Sequence, residues 1–164
     1  MKIKEIMTKD VICCSPDDPV KYVSKLLREN KISGIPIVHD DKVVGIITGK
    51  DILKLLEVPE KNNMLWLPSP FEVIEVPIRE LINWEEAKHA LDDVGIKKAS
   101  EIMSQPVITA SPGDSLETVA SKMVKHNVNR IPIVDDGHLV GIITRQNVIA
   151  GLSLSDNGNS MDEE

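Results

Sequence analysis

The chain has 164 residues with 19 basic and 26 acidic side chains, and its net charge of −7 argues against DNA or another polyanion as a partner. The hydrophobic share of 41% is typical of a soluble globular protein, and no apolar run approaches the ~18–20 residues needed to span a membrane. The opening MKIKEIMTKD has no apolar signal core, and the adjacent Cys13 and Cys14 do not form a disulfide framework. We therefore expect a cytoplasmic protein.

Residues 5–56 and 101–152 are two copies of one sequence. Aligned without a gap at an offset of 96, they are identical at 20 of 52 positions. Two copies are too few for a solenoid, so we predict two half-domains that share a core about a pseudo-twofold axis. Residues 57–100 and residues 153–164 each have a net charge of −4. The copies themselves are therefore close to neutral and would not repel a small anionic ligand.

Each copy begins with a short apolar run that predicts a strand, at Val11–Cys14 and again at Val107–Ala110. A Ser-Pro turn follows, and apolar residues at helical spacing then predict a helix. We expect these two helices to end near Asn30 and His126.

A β-hairpin is predicted next in each copy. Its turn is Asp40-Asp41 in the first copy and Asp136-Gly137 in the second. Pro36 and Pro132 lie inside the strands, so these positions should face an edge or something other than a neighbouring ladder. The predicted strands and the helix that follows them are Ile35–Val38, Lys42–Thr48 and Gly49–Leu56, with the counterparts Ile131–Val134, His138–Thr144 and Arg145–Leu152. The element order is β-α-β-β-α in each copy, and the fold class is α+β.

Residues 57–100 form an insert that belongs to neither copy and holds three of the four aromatic side chains. The proline-broken segment Trp66–Ile78 predicts an extended arm, and Asn83 begins a capping-box pattern for a helix that ends near Gly95. Because exposed tryptophans mark packing or contact, we expect the insert to cover an edge of the module, to form a dimer contact or to close over a cleft.

The predicted organisation is therefore a first half-domain at residues 1–56, the insert at 57–100, a second half-domain at 101–152 and a tail at 153–164. The tail is acidic and has the composition of a disordered segment.

The repeated motifs resemble a tandem pair of cystathionine-beta-synthase (CBS) domains, known as a Bateman module. In both copies an apolar strand is followed by Ser-Pro, a strand reads h-P-h-V, and G-h-h-T-x-x-[D/N]-h leads into the last helix. The resemblance implies a stand-alone regulatory module that senses energy or metabolites by binding AMP, ADP, ATP or S-adenosylmethionine in clefts between the repeats. It also implies a homodimer formed through paired helices, a regulated partner protein and no required cofactor.

Thr48 and Asp51 stand at T-x-x-D spacing where a strand turns into a helix, and two interpretations stay open. One is a capping box, in which Thr48 caps the first backbone amides and Asp51 reciprocates. The other is a ribose site, because a carboxylate can accept two hydrogen bonds from a vicinal diol beside a helix N-terminus that suits phosphate. Both can hold at once.

Carried over position by position, the resemblance implies two sets of ligand-binding residues. The first cleft would use Ser33, Gly34, Thr48, Lys50, Asp51, Ser111, Leu116, Val128 and Asn129. The second cleft would use Ser15, Val20, Ile32, Ser33, Asn129, Arg130, Thr144, Gln146 and Asn147.

The two clefts differ in their charged groups. The first keeps Asp51 but has Gly34 where related proteins often place a phosphate-binding arginine, a cation that Lys50 could supply. The second has Arg130 at that place, but its Asn147 offers one acceptor oxygen where a carboxylate offers two. We therefore expect the Asp51 cleft to prefer a nucleoside with a short or zwitterionic tail, and the Arg130 cleft to prefer a phosphate.

The alternative function is a ligand-free scaffold for protein–protein interaction, which Gly34 and Asn147 favour. An enzyme is disfavoured because the repeats and the insert leave no room for a catalytic domain. The four histidines show no metal-ligand spacing, and no nucleophile–base order or phosphate-binding P-loop is present. We expect no catalytic residue, no metal, and neither a nucleic acid nor a membrane as partner.

Overall fold

The computed structural model describes residues 1–55, 64–68, 73–77 and 84–155. In chain order its elements are α1 (Val20–Glu29), β1 (Gly34–His39), β2 (Lys42–Thr48), α2 (Gly49–Leu55), β3 (Met64–Pro68), β4 (Val73–Pro77), α3 (Trp84–Ile96), α4 (Ala99–Ile102), α5 (Leu116–His126), β5 (Arg130–Asp135), β6 (His138–Thr144) and α6 (Arg145–Ser155). The α+β class is confirmed, as are the predicted ends of α1 and α5.

Each repeat contains the predicted antiparallel hairpin, β1 with β2 and β5 with β6. The two turn residues have left-handed backbones in both hairpins, with φ of 49° and 61° at Asp40 and Asp41, and of 47° and 82° at Asp136 and Gly137. Two consecutive positive φ values produce the tight turn whose twist matches the flanking strands. The inward faces of both hairpins carry isoleucines that are fully buried.

The prolines inside the strands lie where the hairpin ladder needs no hydrogen bond from them, as predicted. Pro36 is opposite Ile46, but Ile46 exchanges its backbone hydrogen bonds with Ser104 instead. On the other edge of β1 the Pro36 carbonyl accepts a hydrogen bond from the Cys14 amide at 3.1 Å. Pro132 has the equivalent surroundings in the second repeat.

The prediction of a strand at Val11–Cys14 and at Val107–Ala110 was wrong. Cys14 and Ala110 each form one parallel bridge to the neighbouring hairpin, and the residues before them are not strands. In a parallel ladder the next hydrogen bond towards the N-terminus would come from the amide of residue 36 or 132. Both are prolines without an N–H, so the ladder stops after one bridge.

The two repeats exchange their leading segments. The short 3-10 turn Ile3–Glu5 lies on the second repeat, where the Ile3 amide donates to the Asp114 carbonyl at 3.0 Å. Helix α4 lies on the first repeat, where the Ala99 amide donates to the Asp18 carbonyl at 2.8 Å. Ile3 and Ala99 are fully buried in the cores that they join. Ile3 precedes the aligned copy 5–56 and Ala99 precedes the copy 101–152, so each core is completed by the segment that leads into the other copy.

The described part of the insert forms the β3–β4 hairpin and helix α3. Helix α3 packs against α1, and the Val20 amide donates to the Lys97 carbonyl at 2.8 Å. The predicted helix end near Gly95 is confirmed. The predicted extended arm is described at residues 66–68 and 73–77, which lie in β3 and β4, while the Asn83 cap lies outside the described residues. Helix α6 continues to Ser155, so the predicted start of the tail at 153 was wrong, and residues 156–164 are not described. No helix in the described ranges is both long and apolar enough to cross a bilayer.

Candidate functional site

A cleft of about 540 Å³ lies between the two repeats. Its first wall is the junction of β2 and α2, and its second wall comes from residues 104–108 and 127–132. This volume lies within the ~300–1,000 Å³ range of small-molecule sites. The lining residues are Ser33, Ile46, Thr48, Gly49, Lys50, Asp51, Leu53, Lys54, Ser104, Pro106, Val107, Ile108, Asn127, Val128, Asn129, Arg130 and Pro132.

Asp51 and Thr48 form a reciprocal cap at the start of α2. Asp51 Oδ2 accepts hydrogen bonds from the Thr48 amide at 2.8 Å and from Thr48 Oγ1 at 3.0 Å. The Asp51 amide in turn donates to Thr48 Oγ1 at 3.4 Å. The capping interpretation is therefore confirmed. Because both residues line the cleft, the cap does not exclude a ligand role.

A third donor reaches the same carboxylate from the other repeat. Ser104 Oγ donates to Asp51 Oδ1 at 3.1 Å. The Ser104 backbone is held on β2, with its amide 2.9 Å from the Ile46 carbonyl and its carbonyl 3.3 Å from the Ile46 amide. The carboxylate is thus fixed by donors from both repeats before any ligand arrives.

Arg130 extends from the second repeat over Gly34 of the first. One guanidinium nitrogen, Nη2, donates to Ser33 Oγ at 2.5 Å. A Cβ atom on residue 34 would lie 2.6 Å from Arg130 Nη1 and 2.7 Å from Cζ. Glycine at position 34 therefore provides the space that the guanidinium occupies.

The hydrogen-bond donors of the Arg130 side chain are incompletely paired. Its Nε is buried without a hydrogen-bond partner, and no carboxylate in the described ranges forms an ion pair with it. Burial lowers the pKa of the guanidinium below its ordinary value, but an arginine remains charged. An incompletely paired cation beside an open cleft is suited to an anionic ligand.

Six of the nine residues predicted for the first cleft do line it: Ser33, Thr48, Lys50, Asp51, Val128 and Asn129. Gly34 is covered by Arg130 instead. Ser111 and Leu116 lie elsewhere, since the Ser111 amide bonds to Asp114 Oδ2 at 3.2 Å and Leu116 is buried in the core of the second repeat.

The residues predicted for the second cleft are dispersed. Ser33, Asn129 and Arg130 line the first cleft. Val20 is a buried core residue, Ile32 packs on the core of the first repeat, and Ser15 and Gln146 are exposed. Thr144 and Asn147 remain together at the start of α6.

Asn147 repeats the cap of Asp51 with different chemistry. Its Oδ1 accepts from the Thr144 amide at 2.9 Å and from Thr144 Oγ1 at 2.7 Å. Because the backbone amide can only donate, the side-chain oxygen must face it, and the NH₂ group is left over as a donor. The second repeat therefore presents a donor where the first presents a carboxylate oxygen.

Sequence reasoning missed Ser104 and assigned Arg130 to the other cleft. The leading segment of each copy contains no ligand motif, so nothing in the sequence connects Ser104 to Asp51. The sequence prediction groups Arg130 with Thr144 and Asn147 of its own repeat, whereas its side chain extends to Ser33 of the first repeat. Both contacts arise from how the repeats pack.

Comparison with known proteins gives a consistent result. The family model described as "CBS domain" matches residues 3–58 and 99–154. The uncharacterised protein MJ1426 of Methanocaldococcus jannaschii is 38% identical over 154 residues, covering 93% of this chain and 91% of the relative. The inosine-5'-monophosphate dehydrogenase of Thermoplasma acidophilum is 30% identical over 145 residues, but the match spans 88% of this chain and only 22% of that enzyme.

The similar solved structures include complexes with adenosine derivatives. The CBS domain pair of protein MJ0100, in complex with 5'-methylthioadenosine and S-adenosyl-L-methionine, has a TM-score of 0.68 and 27% identity, covering 94% of this chain and 98% of that one. CBSX2 in complex with AMP has a TM-score of 0.67 and 23% identity, covering 94% and 98%. At that identity the second likeness concerns the fold alone.

Proposed function

The chain belongs to the CBS domain family as a tandem pair, a Bateman module, and from that premise we propose that it is a regulatory module that binds an adenosine-containing ligand in the cleft between its repeats. The observation that carries the proposal is the pairing, in one cleft, of a fixed carboxylate with an incompletely paired arginine. A carboxylate recognises hydroxyl donors, and a guanidinium recognises phosphate. A nucleotide contains both groups.

The position of Arg130 changes the ligand expected for this cleft. From the sequence, the Asp51 cleft was assigned a short or zwitterionic tail because the arginine belonged to the other site. With Arg130, Lys50 and Lys54 all in the lining, the cleft favours a phosphate. Among the expected ligands, AMP, ADP and ATP therefore take precedence over S-adenosylmethionine.

The remaining lining suits a purine. Pro106, Val107, Ile108 and Val128 contribute apolar surface from the second repeat. Apolar walls with a few directed polar groups are typical of nucleotide-sized sites. In the proposed complex the base lies against these residues, the ribose against Asp51 and the phosphate against Arg130. Ligand binding would then tie the repeats together, and a partner protein would read the change.

Homodimer formation is part of the proposal. Leu53 on α2 and Ile149 on α6 are 63% and 60% exposed, and Leu152 is 57% exposed on the same helix as Ile149. Apolar side chains on the paired helices agree with the expected dimer contact. The sequence predicts Leu53 and Leu56 on one helix, and Ile149 and Leu152 on the other, as the apolar contact residues, and Leu56 lies outside the described residues. Sedimentation equilibrium of the full chain tests this part, and a monomer at all concentrations would contradict it.

The test of ligand binding is thermal unfolding with and without adenosine, AMP, ADP, ATP and S-adenosylmethionine. A ligand at 100 times its dissociation constant adds about 2.7 kcal/mol to the free energy of unfolding. We expect the phosphorylated compounds to raise the midpoint, and Asp51→Ala to abolish the shift. Arg130→Gln should weaken the binding of AMP much more than the binding of adenosine, because only AMP carries the phosphate. Asn147→Ala is the matched control for the other repeat.

The scaffold function is the competing outcome. If no compound shifts the midpoint at millimolar concentration, the cleft is not a nucleotide site and the ligand-free scaffold is favoured. If Asn147→Ala abolishes the shift while Asp51→Ala leaves it intact, the ligand occupies the second repeat instead.

A further inference from the structure

The Asp51 carboxylate has little acceptor capacity left for a ribose. An ionised carboxylate has about four lone-pair directions, two on each oxygen. Oδ2 uses both for the amide and hydroxyl of Thr48, and Oδ1 uses one for Ser104. One direction, on Oδ1, remains. A vicinal diol has two hydroxyl donors, so Asp51 alone cannot accept from both.

We infer that Ser104 supplies the second acceptor and is a ribose-specificity residue of the cleft. Its hydroxyl lines the cleft beside Asp51 and donates to Oδ1, which leaves the oxygen's own lone pairs open. No donor to Ser104 Oγ is found in the described part of the chain. One ribose hydroxyl would donate to Asp51 Oδ1 and the other to Ser104 Oγ. This inference rests on the proposed function and deepens it.

The backbone of Ser104 makes it a rigid acceptor. Its two hydrogen bonds to Ile46 fix it on β2, two residues before Thr48. The preceding Met103 packs over Gly45 of the same strand. Ser104 and Asp51 are thus positioned by one strand, although they come from different repeats. Recognition of the diol therefore requires the second repeat to be docked on the first.

The duplication provides a matched control in the same molecule. Thr8 is the counterpart of Ser104, and its amide and carbonyl each lie 2.9 Å from their partners on Ile142. The counterpart of Asp51 is Asn147, whose Oδ1 already accepts two hydrogen bonds from Thr144. Thr8→Ala removes a hydroxyl from the same backbone arrangement in the other half of the molecule, and it leaves the hydrogen bonds of the Asp51 carboxylate unchanged.

The experiment is calorimetric titration of the full chain with AMP, 2'-deoxy-AMP and 3'-deoxy-AMP. The variants are Ser104→Ala, Ser104→Thr, which keeps a hydroxyl, and Thr8→Ala. A neutral hydrogen bond contributes about 0.5–1.5 kcal/mol, so Ser104→Ala should weaken AMP about 2- to 10-fold. The deoxynucleotide lacking the hydroxyl that faces Ser104 should bind wild type and Ser104→Ala equally. Ser104→Thr and Thr8→Ala should retain wild-type discrimination.

The outcomes distinguish a failure of the Ser104 inference from a failure of the proposed nucleotide binding. If the wild type binds AMP and Ser104→Ala leaves the ratio of AMP to both deoxynucleotides unchanged, the role of Ser104 is overturned while the proposed function stands. If Ser104→Ala weakens all three nucleotides equally, Ser104 only orients Asp51, and its role as a ribose acceptor is overturned. If the wild type binds no adenosine nucleotide, the proposed function fails and this inference fails with it.

Discussion

Asp51 and Asn147 occupy equivalent positions and cap the same backbone groups, yet they leave different atoms available. In both repeats one side-chain oxygen takes two hydrogen bonds from the threonine three residues earlier. Asp51 retains a second oxygen and a negative charge, whereas Asn147 retains an NH₂ donor. The structural role is therefore common to both residues, and the ligand role is separable from it.

Asp51→Asn should reduce nucleotide affinity without loss of stability. Asn147 demonstrates that an amide oxygen satisfies the cap, so the free energy of unfolding without ligand should change by less than about 1 kcal/mol. A hydrogen bond to a charged group contributes about 1.5–3 kcal/mol, so AMP affinity should fall about 10- to 100-fold. Calorimetry and denaturant unfolding measure the two quantities. Asn147→Asp is the control, and an equal loss of AMP affinity in that variant would contradict the assignment of the cleft.

Cys14 should make stability depend on pH in the alkaline range. Burial, with smaller contributions from Asp18 and Cys13, raises the pKa of its thiol from 9.0 to about 11. The folded state holds this proton more tightly than the unfolded state, so the contribution to stability is complete below pH 9. It is lost as pH rises from about 9 to 11, a decrease of about 2–3 kcal/mol.

The measurement is denaturant unfolding of wild type and Cys14→Ala across that range, under reducing conditions. Ala110 occupies the equivalent position in the second repeat and is equally buried, so alanine suits this site. Other alkaline titrations occur in both proteins, and the difference between the two curves isolates Cys14. Parallel curves from pH 8 to 11 would contradict the prediction.

At the residue scale, the sequence identifies side chains that act within one repeat. The T-x-x-D and T-x-x-N caps follow from local spacing, because the partners are three residues apart. Ser104 and Arg130 reach their partners across 53 and 97 residues of chain. Those contacts depend on how the two repeats dock, which no short motif encodes.

At the element scale, local chemistry decides which predictions succeed. The hairpins were predictable because turn residues and alternating isoleucines both specify them. The strand at residues 11–14 failed for a non-local reason, since the amide that it needs belongs to Pro36 on another element. A single copy shows the proline, but it does not show which segment lies beside it.

Gly45 and Gly141 show how the exchanged segments are accommodated on the strands. A Cβ on residue 45 would lie 2.6 Å from Met103 Cγ and 2.9 Å from Met103 Cβ. A Cβ on residue 141 would lie 2.6 Å from Met7 Sδ and 3.1 Å from the Thr8 carbonyl. Met7 and Met103 are counterparts in the two copies, so each leading segment seats one methionine over a glycine of the other repeat.

Gly45→Ala should therefore destabilise the fold. The added Cβ would clash with Met103 Cβ as well as with Met103 Cγ. Because Cβ does not move when the side chain changes rotamer, a rotamer change alone cannot relieve the contact. Overpacking of this kind costs about 1–3 kcal/mol. Denaturant unfolding gives the value, and Gly113→Ala is the control because nothing lies within 4 Å of a Cβ at that position. Equal stability of the two variants would mean that α4 and its following residues move away from β2 at little cost.

At the scale of the whole molecule, the exchange of leading segments couples the two cores. The core of the second repeat includes Ile3, which precedes the first repeat in the chain. The core of the first repeat includes Ala99, which precedes the second. Neither core can be completed by its own contiguous sequence, so we expect the repeats to unfold together.

Ile3→Ala tests this coupling with tryptophan fluorescence from the insert, whereas the mutation lies in the core of the second repeat. Truncating a fully buried isoleucine costs about 2–5 kcal/mol, and the cost falls directly on the second core. Both tryptophans belong to the insert, whose helix α3 packs on α1 of the first repeat. If the repeats are coupled, tryptophan fluorescence and far-ultraviolet circular dichroism should give the same lowered midpoint. A fluorescence midpoint that stays at the wild-type value while the circular dichroism splits into two transitions would show independent repeats. It would also remove the physical basis for a ligand between them acting on the whole module.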